Sequence, residues 1–323
     1  MDIDILLALQ SFRESCPDWV TGIMTTVSSQ AFTVVGFLAF CMVYWAADRQ
    51  AGKRIVFGVS LGLYINGLLK LIFCVNRPWV RDSRITPFGN ATSNATGYSF
   101  PSGHATYATT IFGGLGIWAR KRWKAIAAIC FAFVLLVMFS RLYLGVHTPQ
   151  DVVVGCLSSL AVMWVAYKVE DWTDEDPARD KIVLIAGLVL SAVTAAFFLL
   201  KPYPLDYATD GSLIVDPAKM IGDSFQGIGM VAAYCVCRYF ERRGFAFDEA
   251  LDRRERLIAG GISIIPLAIW IFFTLKVLKP LIGANLGYFI GFGFIIIYMM
   301  IVVPAVMKLV WKRRQAKGAA SGE

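Results

Sequence analysis

Ile182–Leu200 reads IVLIAGLVLSAVTAAFFLL, nineteen residues without a charge. As a helix rising about 1.5 Å per residue it extends about 28 Å. That matches the roughly 30 Å of hydrocarbon in a bilayer. Similar stretches recur along the 323-residue chain, and nine candidate spans can be drawn: about 22–46, 54–75, 103–119, 125–144, 150–168, 182–200, 220–237, 257–278 and 287–311. Segments of this length satisfy their backbone polar groups in lipid as helices. The expected fold class is therefore all-α, a polytopic transmembrane helix bundle. Composition agrees: 57% of residues are hydrophobic and 17% charged, against about 45–50% and about 25% in soluble domains.

The flanks of the spans set an orientation. Arg49, Lys53 and Arg54 follow the first span, Arg120, Lys121, Arg122 and Lys124 the third, and Lys168, Arg179 and Lys181 the fifth. Arg238, Arg242, Arg243, Arg253, Arg254 and Arg256 follow the seventh, and Lys308, Lys312, Arg313, Arg314 and Lys317 close the chain. With nine spans these fall on one face, which the positive-inside rule makes cytoplasmic. The N-terminus is then outside and the C-terminus inside, with loops 76–102, 145–149, 201–219 and 279–286 outside. The net charge of +8 reads as topology signal with weak attraction to anionic lipid. It is no nucleic-acid footprint, since no soluble basic domain carries it.

No early basic stretch leads into a short apolar core and a small-residue cleavage site, so a cleaved signal peptide is not expected. Residues 1–21, with Ile5, Leu6, Leu7, Leu9, Phe12 and Trp19 among Asp2, Asp4, Arg13 and Glu14, read as an amphipathic helix lying in the interface. Six of the seven cysteines (all but Cys16) sit in apolar spans and read as packing residues. The acidic run Glu170–Asp176 reads as a solvated cytoplasmic loop. Residues 182–323 carry no motif comparable with those of 70–151.

Three charged clusters stand out, and both histidines of the chain lie in them. Lys70 and Arg77 are seven residues apart, two helical turns, and would share a face. Lys70 inside a span either snorkels to the outer interface or meets an anion. Pro101-Ser102-Gly103-His104 opens the third span. Its free N–H groups and helix dipole favour an anion, though the tetrapeptide also reads as a plain N-cap. Ser140-Arg141 ends the fourth span. Thr148 can cap the fifth, with Pro149 at its first position. Asp151 then lies four residues after His147. It can accept the Nδ1 proton and leave Nε2 as a nucleophile, or merely complement the helix dipole. Nine spans bring these four helix ends to one membrane face, around one phosphoryl group.

Lys70-(six residues)-Arg77-Pro78, Pro101-Ser102-Gly103-His104 and Ser140-Arg141-(five residues)-His147-(three residues)-Asp151 resemble the three signature motifs of the type 2 phosphatidic acid phosphatase superfamily, without substitution. That superfamily includes lipid phosphate phosphatases, undecaprenyl pyrophosphate phosphatases and glucose-6-phosphatase. The likeness covers roughly residues 54–170. It implies a six-helix phosphatase core within residues 22–201 and leaves residues 202–323 as a three-span extension. It implies that Lys70, Arg77, Ser102, Gly103 and Arg141 bind the phosphate. His147, oriented by Asp151, would attack phosphorus to give a phosphohistidine. His104 would protonate the leaving group and then activate water. No cofactor and no metal is expected, because side chains supply the positive charge.

An outward interfacial site suits a phosphorylated lipid entering from the surrounding membrane lipids, either a monoester or a pyrophosphate. The alternative is a soluble sugar phosphate, with loop 79–100 deciding between them. That loop carries two glycosylation triplets by pattern, Asn90-Ala91-Thr92 and Asn94-Ala95-Thr96. A transporter or non-catalytic phosphate binder is the rival class, supported only by Asp223, Gln226 and Pro304 in the last spans. The sequence leaves a homo-oligomer open.

Overall fold

The computed structural model describes residues 2–92, 95–208, 210–245 and 252–321. The second sequon's Asn94 lies outside the described residues. The described chain is helical apart from turns, loops and one isolated bridge between Tyr207 and Leu213. Helices α1 (Asp2–Ser15), α2 (Asp18–Val27) and α3 (Gln30–Met42) lead to α4 (Arg49–Phe73) and the short α5 (Pro78–Arg81). Next come α6 (Gly103–Ala108), α7 (Gly114–Ala119), α8 (Lys124–Tyr143), α9 (Pro149–Glu175) and α10 (Arg179–Leu200). The chain ends with α11 (Pro217–Phe240), α12 (Arg253–Phe273), α13 (Lys279–Ile282), α14 (Ala284–Ile297) and α15 (Val303–Ser321).

Among the described residues, seven helices are long and apolar enough to cross a membrane, or eight if one bent pair counts as a span. The nine drawn from sequence are thus not all matched. The stretch 103–119 is short and interrupted, with the π-turn Thr109–Gly113 between α6 and α7. The first expected span is not one rod: α2 and the helix after it meet at 43°, around Ser28 and Ser29. On α10 the side chains of Ile182, Ile185, Val189, Val193 and Leu200 are exposed. A girdle of bare aliphatic surface this tall belongs in lipid. The protein is an integral membrane protein.

Local chemistry sets the helix ends. Asp48 caps α4 by accepting from the Ala51 N–H at 2.9 Å, and Asp216 caps α11 ahead of Pro217. Asp252 and Glu255 form a capping box at α12, satisfying two orphan donors reciprocally. Helix α4 stops where Cys74 turns left-handed, at φ 49°. A second break follows at Pro78, which disfavours helix for Arg77. Lys70 and Arg77 therefore do not share a helix face as expected; a turn brings them together.

The last spans pack deeply against the rest. Gly227 of α11 meets the Tyr64 backbone so closely that a Cβ would sit 2.5 Å from its nitrogen, and Gly229 meets Phe289 on α14 in the same way. Small residues permit such backbone approach between membrane helices. Phe57 of α4 stacks on Tyr234 of α11 at 4.2 Å.

Two charge readings need correction. The acidic run is not a solvated loop: residues through Glu175 continue α9, and Glu170 and Thr173 are buried. Burial is tolerable because cations come with it. Lys53 lies 3.6 Å from Glu170, and Arg238 of α11 lies 3.1 Å from it. Residues beyond 182 therefore do carry a charged cluster, at the end of the bundle away from the sequence motifs. On α1, Arg13 is buried and donates to the carbonyls of Tyr143 and Thr86, so this face of the amphipathic helix meets protein.

Candidate active site

The end of α4, the start of α6, the end of α8 and the start of α9 come together at one end of the bundle. Thr148 caps α9 through a capping box with Asp151, and Pro149 takes the first helical position. The box turns the Asp151 carboxylate back over the helix start. Its Oδ2 accepts from the Thr148 N–H at 2.8 Å and lies 3.2 Å from His147 Nδ1. Asp151 thus serves the cap and the imidazole together, so the two readings of it are not exclusive. Gly145, at φ 72°, allows the tight turn that carries His147.

His147 is buried at 1% exposure. Arg77 Nη1 donates to its Nε2 at 2.9 Å. A guanidinium only donates, so Nε2 carries a lone pair and the proton belongs on Nδ1, facing Asp151. Arg77 is held in turn by the carbonyls of Gly97 (2.7 Å) and Val146 (2.9 Å). Lys70 Nζ donates to the Tyr98 carbonyl at 2.6 Å and the Ser99 carbonyl at 3.4 Å. Arg141 is buried; its Nη1 donates to Ser28 Oγ at 2.5 Å, and its Nε has no partner among the described residues.

Ser102 acts as the N-cap of α6, its Oγ accepting from the Ala105 N–H at 3.4 Å. Its own N–H donates to the Asp151 carbonyl at 2.9 Å. Gly155 makes that contact available, since a Cβ there would sit 2.8 Å from the Ser102 carbonyl oxygen. Gly103 and His104, like Lys70, are half-exposed. A Cβ on Gly103 would meet nothing nearer than Asn66 Oδ1 at 3.7 Å, so its face is open. His104 lies beside the Ser28 backbone and feels the charges of Arg141, Arg77 and Lys70.

Two participants escape the motif reading. Ser99 Oγ donates to Asp151 Oδ2 at 2.5 Å, adding a third group around that oxygen. Ser28, at the bend of the first span, touches both Arg141 and His104. Ser99 lies two residues before the Pro101 motif, a weak signal; nothing in the sequence marks Ser28.

Burial, then Arg77, Arg141 and Lys70, push the His147 imidazole well below its usual pKa. One neighbouring carboxylate pulls the other way, and three cations plus burial outweigh it. The imidazole therefore stays neutral as pH falls through about 6.5, where a free histidine charges. The expected acid limb of kcat/KM, corrected for ionisation of the substrate phosphate, lies below pH 6.5. A limb at or above that value would contradict this environment.

A membrane helix bundle whose ends converge on a basic, histidine-bearing pocket defines the class. Residues 51–174 match the model of the PAP2 superfamily. An undecaprenyl-diphosphatase of Sulfolobus acidocaldarius is 30% identical over 129 residues, 40% of this chain and 60% of that one. Phosphatidylglycerophosphatase B of Escherichia coli is 45% identical over 74 residues, 22% of this chain and 28% of that one. The glucose-6-phosphatase catalytic subunit 1 of Haplochromis nubilus is 24% identical over 214 residues, 57% and 58% of the two chains. The chain thus spans less than two thirds of each of these relatives. No solved structure matches.

Proposed function

We propose that this protein is a metal-independent membrane phosphatase that hydrolyses a lipid phosphate monoester or lipid pyrophosphate through a phosphohistidine at His147. The observation that carries the reading is the 2.9 Å hydrogen bond from Arg77 to His147 Nε2, with Asp151 behind Nδ1. The nitrogen that would attack is unprotonated, oriented, and in contact with a group that binds phosphate. Three cations and one carboxylate leave the pocket about two charges positive, which balances a phosphate dianion. When the anion binds, Arg77 exchanges its bond to Nε2 for one to a phosphoryl oxygen. Nε2 then attacks phosphorus in line, and the P–O bond to the leaving group breaks. His104 gives that oxygen its proton and afterwards takes one from the water that cleaves the P–N bond. Lys70, Arg77 and Arg141 stabilise the charge gathering on the equatorial oxygens.

A lipid leaving group suits the surroundings of His104. A narrow cleft beside it is lined by Val27, Phe32, Ala108, Phe112, Phe133 and Val137, together with Ser29, Thr33 and Tyr107. The orientation expected from flanking charges puts this end on the extracytoplasmic face of the plasma membrane, with the N-terminus outside. The likeness to a glucose-6-phosphatase favours a second reading, a soluble sugar phosphate. A phosphate-release panel in detergent with EDTA separates them. Long-chain lipid phosphates or pyrophosphates should be turned over in preference to sugar phosphates. Val137→Trp should cut long-chain turnover about tenfold while sparing a short-chain phosphate. Equal loss on both, or a preference for sugar phosphates, would defeat the lipid assignment.

A further inference from the structure

Most of what aims Lys70 and Arg77 runs through residues 97–99; the Val146 carbonyl is the other backbone partner of Arg77. The Gly97 carbonyl holds Arg77 Nε; the Tyr98 and Ser99 carbonyls hold Lys70 Nζ. Ser99 Oγ also holds Asp151. These residues are not helical, and one backbone bond, from the Ser99 N–H to the Val75 carbonyl at 2.7 Å, ties them to the end of α4. Much of their remaining support comes from the end of α10 and from beyond residue 200. Met220 of α11 lies over Gly97 so closely that a Cβ there would sit 2.2 Å from its sulfur. Tyr98 and Met220 are buried in one apolar cluster with Phe225, Val215 and Phe198. Lys219 donates to Thr96 Oγ1, and Asn76 donates to Asp206 at 3.0 Å. Lys201 donates to the carbonyls of Leu71 and Ile72 at the end of α4.

Gly97 is not among the residues with positive φ, so its backbone does not require glycine. What a Cβ at Gly97 would meet is the sulfur of Met220, so Gly97→Ala forces that side chain to shift. We infer that Met220, with Lys219 beside it, is a positioning residue of the phosphate site: the C-terminal spans press the 96–99 segment into place so that its carbonyls aim Lys70 and Arg77. This gives the extension a task in substrate binding, and it rests on the phosphatase reading above.

The test is a rescue on the full-length purified protein, read as KM, kcat and inhibition by orthovanadate. Gly97→Ala should raise KM and the vanadate concentration for half-inhibition about fivefold. Met220→Ala in the same chain should remove the obstructing atoms and return both values to within about twofold of wild type. Unchanged KM and vanadate inhibition in Gly97→Ala would overturn the inference. So would a double variant as impaired as the single one, because the fault would then lie in the glycine itself. Vanadate binding, followed by thermal shift, reads the clamp without turnover. Wild type that binds vanadate yet hydrolyses no phosphate ester would defeat the phosphatase reading and not the clamp.

Discussion

His147→Ala should lose about 10⁴-fold or more of phosphate release, because removing a covalent nucleophile removes the whole pathway rather than one contact. The variant should still bind orthovanadate, since Lys70, Arg77 and Arg141 keep their own partners in Gly97, Val146, Tyr98, Ser99 and Ser28. Acid-quenched wild type given substrate labelled in its phosphate should carry the label on protein, and the variant should not. Asp151→Asn makes an informative partner. Its amide can still serve the α9 cap but no longer fixes the Nδ1 proton of His147. A misplaced tautomer costs about 10⁴-fold in a serine protease triad. Here the label should appear on Asp151→Asn slowly, and on His147→Ala not at all. Label on the alanine variant at the wild-type level would transfer the nucleophile to another residue and end this mechanism.

How much of this was legible in the sequence depends on how local the cause is. Apolar runs such as Ile182–Leu200 announced a helical membrane protein, because crossing lipid is a property of one segment. The capping residue Thr148 was readable for the same reason. The motifs named the residues that gather at one end of the bundle. What they could not give was the path between them. Spacing alone put Lys70 and Arg77 on one helix face; the left-handed turn at Cys74 and the break before Pro78 put them together another way. Ser28 was invisible because its role comes from a 43° bend in the first span, far from every motif. The error over Glu170 was of another kind. A run of carboxylates looks solvated unless its cations are known, and those cations, Lys53 and Arg238, are more than sixty residues away in either direction.

That distant ion cluster should dominate the stability of the bundle. Arg238 is 1% exposed and lies 3.1 Å from Glu170, 2.8 Å from Asp174 and 3.8 Å from Asp180. It also donates to Thr173 Oγ1 at 2.6 Å. Glu170 and Asp180 are fully buried. Arg238→Met leaves both short of a cation, and removing one partner of a buried ion pair costs about 3–5 kcal/mol. At about 2 °C per kcal/mol for a chain of this size, the thermal transition in detergent should fall by about 6–10 °C. The pair itself need not be favourable; two apolar residues in its place are often neutral. Arg238→Met with Glu170→Met should therefore recover part of the loss. The recovery stays partial because Asp174 and Asp180 remain, with Arg242 still within 3.6 Å of Asp180. The order wild type, double variant, single variant is the signature of an uncompensated buried charge. A double variant less stable than Arg238→Met alone would show that Glu170 stabilises the bundle mainly through Lys53 and the Tyr234 hydroxyl.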